Sequence, residues 1–227
     1  MGEPVNPLRA LRQACGALRV FPLHGVAVLP ATPTPLHVFE PRYRALVRDA
    51  LRSDRMLAVP QLLSAEGLRE LHPPLRPLAG AGYIEHHREH EDGRFDIVIR
   101  GVARVRLAEE LPSEAAYRTF RAEVAEDRWP PGGRADLEPG LESLRQLVLE
   151  LTTRLPPESG APALAEAVAQ LKDASAAIDL VAAAAISEPE ARQAVLEELD
   201  VSRRLARVVS EVAAVVLLLS RGKNPRV

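Results

Sequence analysis

Cysteine is almost missing from this sequence. Cys15 is the one thiol in 227 residues, which excludes an internal disulfide and any zinc site built from cysteines. Lysine is nearly as scarce: of 29 basic residues only Lys172 and Lys223 are lysine. Aromatic residues make up 4%, too few for the stacking platforms that hold single-stranded nucleic acid. The longest apolar run, Val212 to Leu219, is far short of the roughly 20 residues a membrane span requires. The opening MGEPVNPLRALRQ lacks an apolar signal core, so a cytoplasmic protein is expected. Phosphate-loop, dinucleotide-binding and nucleophile-elbow patterns do not occur, which leaves nucleotide hydrolysis and serine-hydrolase chemistry without their usual apparatus. Ser220 and Lys223 have a serine–x–x–lysine spacing, but without companion motifs the match is read as chance. The sequence therefore predicts no enzyme, no catalytic residue and no cofactor.

What remains is ordinary globular material. Apolar residues reach 47% and the net charge is −2, so the chain can bury a core and has no large basic face for nucleic acid. Its character changes near Trp129. Before it, short β-branched runs alternate with turn signals; after WPPGGR the pattern becomes helical and alanine-rich. Pro130, Pro131, Gly132 and Gly133 suit neither element. The expected organisation is a tail or short helix over 1–17, a β-rich domain over 18–128 and a helical domain over 129–227.

Within the β-rich part, Asp92-Gly93 separates two runs of strand character and predicts a hairpin. Gly101 interrupts the second run, where a bulge or bend is expected. Pro30, Pro33 and Pro35 donate no backbone hydrogen bond, so they belong in a loop, at a strand end or on an edge strand. Pro41 suits the first turn of a helix, whose buried face would carry Tyr43, Leu46, Val47, Ala50 and Leu51. In the helical part, segments are expected near 137–155, 163–171 and 175–186. Another begins at SEPE, where Ser187 and Glu190 have capping-box spacing. The last carries a seam of Val201, Leu205, Val208, Val212, Val215 and Leu219.

Two clusters invite a functional reading. His86, His87 and His90 resemble metal ligands, but on a strand His87 faces away from the other two, so they are expected to form a solvated hairpin tip with no metal. Arg100, Arg104, Arg106, Arg118 and Arg121 could line an RNA-binding face; interleaved Glu109, Glu110 and Glu123 favour a salt-bridged surface instead.

The stretch FPLHGVAVLPATPTPLHVFEPRYRALVRDAL resembles the N-terminal substrate-binding domain of Lon proteases. Phe21, Pro22, Leu23, Pro30, Pro35, Leu36, His37, Phe39, Glu40, Pro41, Arg42 and Tyr43 match that family's pattern. The likeness continues through Gly82 and DGRFDIVIRGVARVRL. It ends in a helical segment where Leu196, Glu197, Asp200, Arg204 and Leu205 fit the family signature. The resemblance implies an α+β fold: a twisted, barrel-like (PUA-like) β domain with a short helix, then an α-helical bundle. It implies a non-catalytic module that recognises unfolded or tagged polypeptide and serves a separate protease as an adaptor. The 201–219 seam itself is expected to pack either inside the bundle or against a second copy, as a homodimer through the C-terminal helices. The peptide-binding residues expected on this basis are Leu29, Pro30, Pro33, Leu36, His37, Phe39, Arg42 and Tyr43. An RNA- or small-ligand-binding protein on the same fold is the alternative.

Overall fold

The computed structural model describes residues 6–63 and 72–222; Lys223 of the serine–lysine pair and the first five residues of the expected tail lie outside them. The chain divides into two compact units, Met1–Ala125 and Glu126–Val227. The first opens with α1 (Pro7–Ala14), capped by Asn6, whose side chain accepts from the Leu8 and Arg9 amides. Strands β1 (Leu18–Val20) and β2 (Pro33–Val38) follow, then α2 (Pro41–Leu51), β3 (Met56–Val59), β4 (Leu78–Glu89), β5 (Phe95–Leu111) and β6 (Arg118–Val124).

The six strands form one sheet in the order β2-β5-β4-β3-β1-β6, and β5 also pairs with β6. Five strands thus close into a ring, short of a true barrel, and β2 stands outside it on the flank of β5. β5 makes this possible by its length. Its first half pairs with β2, its second half with β6, and β4 runs along both. The strand is continuous through Gly101 and bends there, as expected. The bend is a bulge: Gly82 faces Gly101 and Ala81 faces Ala103, so Val102 has no opposite number.

Glycine is required at the bend because the backbone of 28–29 crosses the sheet there. A Cβ on Gly101 would lie 2.1 Å from the Leu29 carbonyl oxygen, and one on Gly80 would lie 1.7 Å from that of Val28. Two apolar cores result. One joins Phe21, Val28, Ile84, Phe95, Ile97 and Ile99 to the buried face of α2, where the Phe21 and Tyr43 rings meet at 4.5 Å. The other seats Leu11 and Cys15 of the α1 region on Leu18, Val20, Met56, Val105 and Phe120. Helix α2 begins at Pro41 as expected, with its fixed φ in the first turn.

The second unit holds α3 (Arg134–Arg154), α4 (Ala161–Gln170), α5 (Ala174–Ala185), α6 (Pro189–Glu197) and α7 (Val201–Ser220). Leu137, Leu141, Leu144, Val148 and Leu151 line the buried face of α3, and Val201, Leu205, Val208, Val212 and Val216 that of α7. Val216 thus replaces the expected Val215 as the buried residue of the last turns. Gly140 lets α3 approach α7 closely, for a Cβ there would come within 2.7 Å of Leu205 Cδ2. The capping box at Ser187 does not form. Pro189 takes the first helical position, so Glu188 becomes the N-cap, with no side-chain cap. Among the described residues no helix is long and apolar enough to cross a membrane.

Candidate functional site

The exposed flank of the first unit is β2, and its prolines decide what that flank offers. The Thr32 carbonyl accepts from the Gly101 amide of β5, so in the alternation of an antiparallel pair residues 34, 36 and 38 turn their backbone groups to β5. Pro33, Pro35 and His37 turn theirs outward, and only His37 has an N–H to present there. An incoming strand meets carbonyl acceptors and one donor, a poor template for extending the sheet. The side chains are a different matter. Pro33, Pro35, His37 and Phe39 are all exposed, and Phe39, at 62%, is the most exposed large apolar side chain among the described residues. A shallow groove of about 450 Å³ runs beside them, lined by Pro35, Leu36, His37, His86, Asp96 and Val98 among others.

At one end of this stripe is a polar cluster. His37 sits opposite Asp96 of β5, and its Nδ1 lies 2.6 Å from Asp96 Oδ1. His90, just past the end of β4, places Nε2 2.7 Å from Asp96 Oδ2. The carboxylate is thus held between two imidazoles; hydrogen bonds with His37 and then His90 keep its pKa below the usual carboxylate value. The His37 and His90 rings meet nearly edge to face, 6.0 Å apart, and His37 stacks toward Phe39 at 6.3 Å. Asp92-Gly93 makes the turn that brings these groups together: Gly93 has φ 77°, and its amide donates to the His90 carbonyl.

The residues singled out in the sequence separate into layers. Pro33, His37 and Phe39 are exposed, Pro30, Leu36 and Arg42 half-buried. Leu29 is fully buried and Tyr43 nearly so; burial also pushes the Tyr43 hydroxyl pKa up, with Arg42 opposing it. Arg42 lies 4.5 Å over the Tyr43 ring and pairs with Glu40 at 3.0 Å. It borders a second hollow of about 430 Å³, also lined by Arg118, whose Nε and Nη2 donate to the two Glu110 carboxylate oxygens at 2.8 and 2.6 Å. Of the other arginines, Arg100 pairs with Glu85 at 2.9 Å and Arg121 with Glu109 at 2.5 Å, while Arg104 is buried and Arg106 exposed. The histidines regroup. His90 joins His37 and Asp96 rather than His86 and His87. Sequence reasoning passed over Asp96, although the register of a hairpin turning at Asp92-Gly93 carries the signal that would have found it.

Comparison with known proteins follows the same lines. The sequence model of the ATP-dependent protease La (LON) substrate-binding domain matches residues 17–214. Lon protease 2 of Myxococcus xanthus is 28% identical over 195 residues, which are 85% of this chain and 23% of that protein. Lon protease of Desulfosudis oleivorans is 21% identical over 204 residues, covering 89% and 24%. The chain thus spans about a quarter of the length of these curated relatives. Among solved structures, the N-terminal domain of Mycobacterium avium complex Lon protease superposes with a TM-score of 0.69 at 18% identity, over 87% of this chain and 98% of that one. The Lon N-terminal domain protein from Xanthomonas campestris gives 0.57 at 22%, over 86% and 97%. At these identities the two structures speak for the fold alone.

Proposed function

Because the chain belongs to the ATP-dependent protease La (LON) substrate-binding domain family, we propose that it is a substrate-recognition module that binds unfolded or tagged polypeptide without cutting it and presents it to a separate protease. The observation that supports this best is the stripe of Pro33, Pro35 and Phe39 on an edge strand whose own prolines prevent sheet extension. A polypeptide would be held there by apolar side-chain contact across Phe39 and the groove beside Pro35, and less by backbone pairing. Such contact tolerates many sequences, as recognition of unfolded chains requires. Val98 and Leu36 line the groove.

The test is fluorescence anisotropy of a labelled unfolded protein titrated with the chain, without ATP, at low and high salt. Saturable binding that survives salt is expected. Full burial of a Phe side chain is worth about 1.5–3 kcal/mol, so Phe39→Ser should weaken binding about 10- to 150-fold. Leu149→Ser, at another exposed apolar position in the helical unit, should leave it unchanged. Equal affinity for wild type and Phe39→Ser, or binding abolished by salt, sinks the proposal.

A further inference from the structure

We propose that His37, His90 and Asp96 form a binding site for a divalent transition ion of the zinc type, independent of the polypeptide reading above. Three conditions for such a site meet here. The donors are of the right kind: two imidazoles and a carboxylate are a recurrent three-ligand set for zinc with its fourth position open. They are close enough: the ligand atoms all lie within 4.8 Å of one another. A tetrahedral ion with bonds of about 2.0–2.1 Å needs donors roughly 3.3 Å apart, so modest side-chain rotations close the set. They are also mounted on firm backbone. His37 and Asp96 are direct cross-strand partners, and the His90 amide donates to the Arg94 carbonyl at 2.9 Å, fixing the base of the turn.

The proton inventory is simple. Each imidazole now offers to Asp96 the nitrogen that would ligate, Nδ1 of His37 and Nε2 of His90. On binding, each neutral ring carries its proton on its other nitrogen, and Asp96 ligates as the carboxylate. For His37 that other nitrogen is Nε2, which lies 3.5 Å from Arg94 Nη1. Arg94 gives up this long contact and keeps its 2.6 Å bond to Asp92. The side chains of His37 and Asp96 are about half exposed, so the ion is reached from solvent and keeps a water in its open position. It would join the free flank of β2 to the hairpin tip and stiffen the strand that carries Pro35 and Phe39.

The test is calorimetric titration of the full chain, free of any affinity tag, with zinc, and with cobalt as an optical probe. One equivalent should bind with a micromolar Kd and give cobalt a tetrahedral visible spectrum. His90→Gln and Asp96→Asn should each abolish this, whereas His86→Gln/His87→Gln should retain it. At free zinc a hundred times Kd the unfolding equilibrium constant should fall about 100-fold, a shift absent in His90→Gln. In the wild type, the imidazole NMR signals of His37 and His90 should move on zinc addition, which keeps the test valid if a variant misfolds. Absence of one-to-one binding, survival of binding in Asp96→Asn, its loss in His86→Gln/His87→Gln, or unmoved His37 and His90 signals each overturns the proposal.

Discussion

Arg204→Ala is the substitution with the largest consequence to be worked out from this structure. Arg204 lies on α7, its side chain fully buried. Its Nη1 donates to Asp127 Oδ1 at 2.9 Å and to the Glu198 carbonyl at 2.8 Å; its Nη2 donates to Asp127 Oδ2 at 2.7 Å and to Ser175 Oγ at 2.6 Å. Asp179, fully buried on α5, stands 3.5 Å from Nε. Burial alone would lower the guanidinium pKa; the Asp127 hydrogen bonds and the charges of Asp179 and Asp127 outweigh it, and the pKa is raised. Four charge-assisted bonds at about 1.5–3 kcal/mol each would sum to roughly 6–12 kcal/mol, but that overcounts, because water refills part of the gap. Breaking a buried pair by removing one partner typically costs about 3–5 kcal/mol, and we expect that range for Arg204→Ala. Asp127→Asn keeps one acceptor and the packing, and should cost about 1.5–3 kcal/mol. Urea unfolding followed through Trp129, two residues from Asp127 and the one tryptophan in the chain, measures both; exposed Arg207→Ala, expected within about 0.5 kcal/mol of wild type, is the control. An Arg204→Ala cost below about 1 kcal/mol would refute the reasoning and mean that water already reaches the network.

Two further substitutions probe the first unit. Gly101→Ala drives a methyl against the Leu29 carbonyl at the bulge and should destabilise by about 1–3 kcal/mol or more, whereas Gly16→Ala, whose nearest neighbour is 3.9 Å away, should be neutral to slightly stabilising; thermal unfolding of the pair decides. Glu110 is held below its ordinary value of 4.5, chiefly by its hydrogen bond with Arg118. A carboxyl more acidic folded than unfolded adds stability above pH 4.5 and loses it as the pH falls through the folded value. Glu110→Gln should therefore be less stable than wild type at neutral pH, and the gap should narrow below pH 4.5 in a urea series; a constant gap would contradict the assignment.

The parts of the fold that local chemistry dictates were legible in the sequence. Pro41 starts α2 because its preset φ is helical and its missing N–H costs nothing in the first turn, and Asp92-Gly93 turns the hairpin because glycine reaches positive φ without strain. What escaped depends on partners far along the chain. The bend at Gly101 is legible but its cause is not, since Gly82 and the crossing backbone at Leu29 lie far from it in sequence. His90 reads with His86 and His87 because they are near in sequence, yet its neighbours in space are Asp96 and His37, which lies more than fifty residues upstream. Ser187 reads as a cap until Pro189 claims the first turn. Arg204 entered only as part of a family signature, and its buried network with Asp127, Ser175 and Asp179 was not legible, since a single arginine on a helix gives no local sign that it faces inward.

The length of β5 has a consequence for synthesis. This strand is the partner of β2, β4 and β6, and β6 in turn covers β1. On a ribosome, β1 and β2 emerge long before the strands that complete them; Val124, the end of β6, follows Val20 by about a hundred residues. At roughly 5–20 residues per second the early strands wait some 5–20 s with apolar faces open. A protein built this way exposes, while being made, the kind of unfolded apolar segment that it is proposed to recognise in others.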